Sequence, residues 1–316
     1  MATGDTATLT RAPAPGAPQR TGLASWFRRH TFEIALISPL VIYVLILTVV
    51  PIIDTFRRSF SSPTDGFGTL ESYRFIFASS RFRDAVVNTI IVALLSLILE
   101  IGVGLSIALA LNVAFRGRGF VRTVLLVPLG VPTIVSGAIM LLIFARAGYM
   151  NSVLALFSNL IDKIPGINMD WVNVSWTTGG WRTLLTYAIA DMWKVLPVMT
   201  LIFLAGLQSI PPDVYEAADV DGATKWQRFA RVTMPLLVPF FTMALILRAI
   251  DAFRIFELAL AVGAREDVLG TFIANRYLPP TNDLFTSSAA SIILFGIIML
   301  FIVLYLRFVA RFQVQR

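Results

Sequence analysis

Cysteine is absent from this 316-residue chain, and histidine occurs once, as His30. Together these absences exclude disulfide frameworks, thiol nucleophiles and Cys/His metal clusters. No G-x-x-x-x-G-K-[ST] run occurs either, so nucleotide is not bound through that loop. Charge is scarce as well. Charged residues make up 14% of the chain and hydrophobic ones 57%, with a mean hydropathy of +0.77. A soluble domain carries about 25% charged residues, so the composition points to a membrane protein. The net charge of +7 fits lysine and arginine gathered at one face of a bilayer better than nucleic-acid binding. No catalytic residue and no metal ligand is expected.

What is present is a series of long apolar runs. A membrane-crossing helix needs about 20 mainly apolar residues, and six runs qualify: 34–53, 89–113, 123–145, 183–208, 236–262 and 284–306. Residues 1–30, rich in Ala, Pro, Thr and Gly, read as a disordered tail. The run after them is too long for a signal-peptide core and lacks a small-residue cleavage site, so it reads as an uncleaved span. Six spans leave both ends on one side. With cytoplasmic termini the inner segments hold 13 lysines and arginines against 10 outside, the direction that the positive-inside rule requires. The expected organisation is a cytoplasmic tail 1–30, a first transmembrane helix 31–56 and an extracytoplasmic segment 57–87. A core of five spans over 88–310, with a cytoplasmic loop at 209–235, and a cytoplasmic end 311–316 complete it.

The second run carries Gly102, Gly104, Ser106, Ala108 and Ala110, small-xxx-small pairs that allow close helix approach. Pro128 and Pro132 favour a kink in the third. Between the third and fourth runs, Val153, Phe157, Leu160, Ile161 and Ile164 share one helical face, as in a short helix lying along the outer surface.

The loop 209–235 has the most explicit local chemistry. Pro211 and Pro212 end the preceding span, Asp213 and Glu216 have the spacing of a cap and its reciprocal partner, and Gly222 fits a left-handed helix stop. Thr224 and Gln227 repeat the capping pattern, and Pro235 is expected to close the second helix. The first helix is acidic (Asp213, Glu216, Asp219, Asp221). The second is basic (Lys225, Arg228, Arg231), with Trp226, Phe229 and Val232 near one face. An amphipathic elbow on lipid headgroups is one reading. A peg for a partner protein uses the acidic half better, because the cytoplasmic leaflet is itself negative.

Glu216-Ala217-Ala218, then Gly222, Val232 and Met234-Pro235 resemble the EAA loop of ATP-binding-cassette (ABC) importer permeases. That motif reads E-A-A, three residues, G, nine residues, I, one residue, L-P, with Val for Ile and Met for Leu here. The wider run from Met192 to Leu237 is similar to the carbohydrate branch that imports maltose, trehalose and glycerol phosphate. The resemblance extends from Pro51 and Ser59-Phe60 through the last span. It implies an all-α polytopic fold of six transmembrane helices, the type I importer permease fold, in a bacterial inner membrane. Glu216, Ala217, Ala218, Gly222, Val232 and Pro235 would then form a coupling helix seated in a separate ATPase. The implied partners are a second homologous permease, two ATPase subunits, an extracytoplasmic sugar-binding protein and membrane lipid. The chain itself would hold no cofactor, ATP and magnesium being bound by the ATPase.

Ionisable residues inside spans suggest a functional pathway. Arg248, Asp251, Arg254 and Glu257 follow one another at i, i+3 with alternating sign, with Phe253 and Phe256 among them, and Asp191, Trp193 and Lys194 lie at comparable depth in the fourth span. Such a set lines a sugar path, holds helices in register as an ion-pair ladder, or gates. Glu100 reads as a packing partner. Rival functions are a permease for another solute, such as a polyamine or oxyanion, and a secondary transporter that uses the Asp/Arg pairs for ion coupling.

Overall fold

The computed structural model describes residues 30–64, 66–161, 174–263 and 265–313. The expected N-terminal tail and Ile164 lie outside them, as do the side chains of Leu160 and Ile161. Among the described residues the chain is helical apart from a two-residue hairpin pair, β1 (Ser61–Ser62) and β2 (Gly66–Phe67), with Ser61 opposite Phe67. Five helices are long and apolar enough to cross a membrane, or six if one bent pair counts as a single span.

Two units meet in sequence at Asp54–Thr55. The first is carried by the first helix, α1 (Thr31–Ser59), which has no buried residue before Ser59. A wide π-turn, Leu45–Val49, ends two residues before Pro51. Pro51 has no N–H to give and its ring crowds the carbonyl four residues back, and the wider turn takes up that misfit.

In the second unit, α2 (Glu71–Ala78) leads into α3 (Ser80–Asn112), which runs beside α7 (Trp181–Ser209). At 33 and 29 residues both exceed the roughly 20 that a bilayer core needs. Gly104 sets their closest approach: a Cβ there would stand 3.3 Å from that of Met199. Ala108 shares this buried face, whereas Gly102, Ser106 and Ala110 face outward. Two of the five expected small residues thus serve packing within the chain. Next, α9 (Lys225–Phe253) closes on α7 where Gly206 leaves room for Leu237 and Phe240. A third apolar cluster joins α2, α3 and α9 to α11 (Leu269–Tyr277) and α12 (Leu284–Gln313) through Ile76, Phe82, Phe253, Phe272 and Leu294.

Three expectations need correction. The third span is two helices, α4 (Arg118–Gly130) and α5 (Thr133–Ile143), bent by 102°. Val131 and Pro132 are extended between them, so the two prolines break the helix outright instead of kinking it. The fifth span ends at Phe253, and α10 (Glu257–Ala261) is a separate short helix packed on α5, where Gly137 meets Ala261 and Leu258. The i, i+3 stripe from Arg248 to Glu257 is therefore not one helical face. Pro235 closes nothing: α9 runs through it, and a π-turn at Phe229–Thr233 absorbs the proline as the one before Pro51 does. The expected surface helix is present as α6 (Tyr149–Ile161), with Val153 and Phe157 exposed.

Candidate functional site

Two places in the chain gather polar chemistry: the elbow between α7 and α9, and a charged cavity beside Arg248, lined mainly from α7, α9 and the segment leading into α10.

The elbow begins where Ile210 and Pro211 turn extended after α7. Pro212 then occupies the first position of α8 (Pro212–Val220), where its missing N–H costs nothing. Asp213 consequently lies in the first turn and is not the cap, and Glu216 completes no capping box, in correction of the expected pair. The acid still favours the positive end of the helix. At the other end Gly222, with φ of 72°, donates to the Asp219 carbonyl at 3.1 Å, and Ala223 donates to that of Ala218 at 3.0 Å. This is a Schellman stop. Thr224 and Gln227 form a full capping box: Thr224 N–H to Gln227 Oε1 at 2.8 Å and Gln227 N–H to Thr224 Oγ1 at 3.3 Å.

Opposite charges brace the two arms. Arg228 Nη1 lies 2.8 Å from Asp219 Oδ1 and 2.9 Å from Oδ2, and its guanidinium stands 5.5 Å from the ring centre of Tyr215. Ala218 is buried, while Glu216 and Ala217 face out. Glu216 has no hydrogen bond or ion pair among the described residues. Val220 is 87% and Trp226 73% exposed. Val232 and Pro235 are half-buried and belong to the wide turn and the start of α9 proper.

The membrane-level site centres on Arg248 of α9, which is 1% exposed. Its Nε and Nη2 grip Glu100 of α3 at 2.8 and 2.6 Å, a two-pronged contact. Nη2 also reaches Asp191 Oδ2 of α7 at 2.8 Å, and Nη1 stands 3.6 Å from Asp251. Ser96 Oγ lies 2.7 Å from Asp191 Oδ2 and 3.1 Å from the Ala188 carbonyl. One guanidinium therefore ties three spans together. Lys194 reaches across from α7 to the break between α4 and α5, donating to the carbonyls of Pro128 at 3.3 Å and Leu129 at 3.5 Å and to that of Val131. A cation at a helix end answers the carbonyls that the proline break strands there.

Around these groups opens a cavity of about 480 Å³, lined by Asp191, Lys194, Arg248, Asp251, Arg254, Phe256 and Glu257 among others. Asp251, Arg254 and Glu257 face the open side. Phe253 is not at this wall. It packs in the core with its ring 5.2 Å from that of Phe301. Trp193 leans on the apolar cluster around Tyr187 and Leu258. Sequence patterns flagged Glu100 without its partner. They gave no sign of the clasp at the other end of the spans, where Glu266 accepts the Gly180 N–H at 2.5 Å, Asp267 pairs with Arg81, and Asn88 donates to the Asp267 carbonyl at 2.9 Å. No cluster of potential metal ligands occurs among the described residues.

The family model of binding-protein-dependent transport system inner membrane components matches residues 101–316, which include the elbow, Arg248 and the cavity. The chain belongs to this family. The permease is 35% identical over 297 residues to the trehalose/maltose transport system permease protein MalF of Thermococcus litoralis, covering 91% of this chain and 96% of that one. It is 31% identical to the arabinooligosaccharides transport system permease protein AraP of Bacillus subtilis, over 79% and 78% of the two chains. In fold the permease is similar to a bacterial ABC transporter involved in the import of the acidic polysaccharide alginate, with a TM-score of 0.71 at 24% identity over 92% of this chain and 98% of that one. As a multi-pass inner-membrane component of a transport system it is not itself an enzyme.

Proposed function

We propose that this permease forms half of the translocation pathway of an ATP-driven importer for a disaccharide, oligosaccharide or related polyol. The sugar relatives support the substrate class. The elbow's form supports the coupling. The elbow carries a Schellman stop, a capping box and an internal salt bridge. These fix α8 rigidly against the start of α9 and turn Glu216, Ala217 and Val220 outward, a shape suited to a cleft in another protein. The occupant of that cleft role is an ATPase subunit, one for each of two homologous permeases, which binds ATP and magnesium. An extracytoplasmic binding protein delivers the sugar, and the elbow and both termini lie in the cytoplasm.

Glu216 offers a carboxylate, free of partners within the described residues, for a basic group of the ATPase. When two ATPases close, the elbows are driven together and the spans rock as rigid bodies between inward- and outward-facing states. The Arg248 network is the place in the bundle where that motion meets the cavity. Asp251, Arg254 and Glu257 supply charged partners for sugar hydroxyls, and Phe256 an apolar face.

The deciding experiment is Glu216→Arg in the purified complex. ATPase subunits are expected to co-purify poorly, or substrate-stimulated ATP turnover to fall at least tenfold, with membrane insertion unchanged. Normal stimulated turnover would remove the docking role.

A further inference from the structure

We infer that Arg118 and Arg122 form a binding site for the phosphate of an anionic phospholipid, at the root of the elbow and separate from the transport cavity. The two arginines sit one turn apart on α4, and both reach the end of α7, where Gln208, with its amide turned so that the oxygen faces the cations, accepts from Arg118 Nη2 at 2.7 Å and Arg122 Nη2 at 3.1 Å. A neutral amide is the only acceptor that this pair of cations finds among the described residues. Both Nε groups are shielded without a partner, and among the described residues no carboxylate pairs with either guanidinium. The sequence makes no provision for one: residues 113–130 contain three arginines and no acid.

Two like charges held on one oxygen repel each other, and Arg118, at the first position of the helix, also meets the unfavourable end of its dipole. Every term is reversed by an anion between the guanidiniums. The chemistry called for is an oxyanion with several acceptor oxygens, since each planar guanidinium keeps N–H groups in a fork that matches phosphate.

The helix itself favours a lipid as the source. Phe120, Val121, Val124 and Val127 of α4 are all exposed, Phe120 to 73%, on the first half of the bent third span. This half runs alongside α7 from Gln208 to Lys194, about 20 Å along that helix, so its apolar flank faces acyl chains while its arginine end stands at headgroup level. A soluble phosphate or a carboxylate of a partner protein satisfies the arginines but leaves that apolar face uncovered. The site does not depend on the elbow docking an ATPase, and its test uses a different readout.

The test is native mass spectrometry of the intact complex after delipidation, titrated with phosphatidylglycerol or phosphatidylcholine. The native protein is expected to retain phosphatidylglycerol selectively. Arg118→Gln with Arg122→Gln should weaken retention by roughly thirtyfold, the contribution of two basic residues at a membrane surface. Arg116→Gln, the neighbouring exposed arginine, should change it by no more than about fivefold, the share of one residue on the same scale. Gln208→Glu provides a built-in carboxylate and should abolish selective retention with both arginines in place, which decides the matter if the double variant does not fold. Equal binding of the two lipids, or unchanged retention in Gln208→Glu, overturns the site. Displacement of the lipid by inorganic phosphate at equal concentration overturns the lipid as its source. Loss of a protein subunit from the double variant, with lipid retained, assigns the arginines to a protein interface instead.

Discussion

The elbow and the Arg248 network solve the same problem, the pairing of opposite charges, in opposite surroundings. Asp219 and Arg228 are nine residues apart and sit in water, 57% and 31% exposed. Glu100 and Arg248 are separated by 148 residues and are both essentially sealed off. In the elbow the charges add a modest brace to a shape already set by glycine, threonine and proline. In the bundle the shape exists only if the charges meet, because each would otherwise be stranded in an apolar interior. Surface charge decorates a fold and buried charge commits it.

The sharpest way to break this contrast is Arg248→Ala. It leaves Glu100 and Asp191 facing each other without a cation, and a loss of about 3–5 kcal/mol is expected, read as lower thermal stability of the purified complex and poor membrane yield. Replacing Arg248 and Glu100 together by methionine should restore much of that loss and still impair transport. A double variant as unstable as the single one would show that the pair is not what holds the three helices.

In the elbow the backbone should matter more than the ion pair. Gly222→Val forces a branched side chain into a left-handed conformation and should cost about 1–2 kcal/mol locally, measured as faster amide exchange over α8 with the spans unaffected. Asp219→Ala should cost the least, under about 1 kcal/mol, with unaltered ATP turnover at moderate salt. If Asp219→Ala disturbed coupling as strongly as Gly222→Val, the brace would rank with the turn and the contrast with the interior would fail.

These differences also explain what could be read from the sequence. The capping box at Thr224 and the stop at Gly222 are properties of a few consecutive residues, and both are present. Asp213 misled because Pro212 can itself open a helix and moves the cap two places back, to Pro211. The proposed stripe from Arg248 to Glu257 assumed a continuous helix, and no strong breaker near Arg254 announced its end. The helix stops because residues 254–256 turn α10 towards α5, a tertiary demand. Phe253 followed from the same assumption and proved to be core. Glu100 was visible as an oddity, but its partner lies across the bundle, and no local pattern connects residues 148 positions apart. The six apolar runs were legible because lipid imposes length and composition on each span separately. The third shows the limit: its prolines marked where the helix would fail, and not by how much.

One feature of α7 has mechanical reach. The helix is unbroken from Trp181 to Ser209, where the elbow starts, and Asp191 lies eighteen residues from that end, roughly 27 Å along the axis. Pivoted at the elbow, a tilt of only about ten degrees would sweep Asp191 sideways by about 5 Å over that length. That is further than a hydrogen bond stretches, so Arg248 would have to abandon either Asp191 or Glu100. Lys194, one turn from Asp191, would pull the proline break along with it. A small stroke below would thus be converted into a change of partners above, which gives the bundle discrete stopping points instead of a smooth slide.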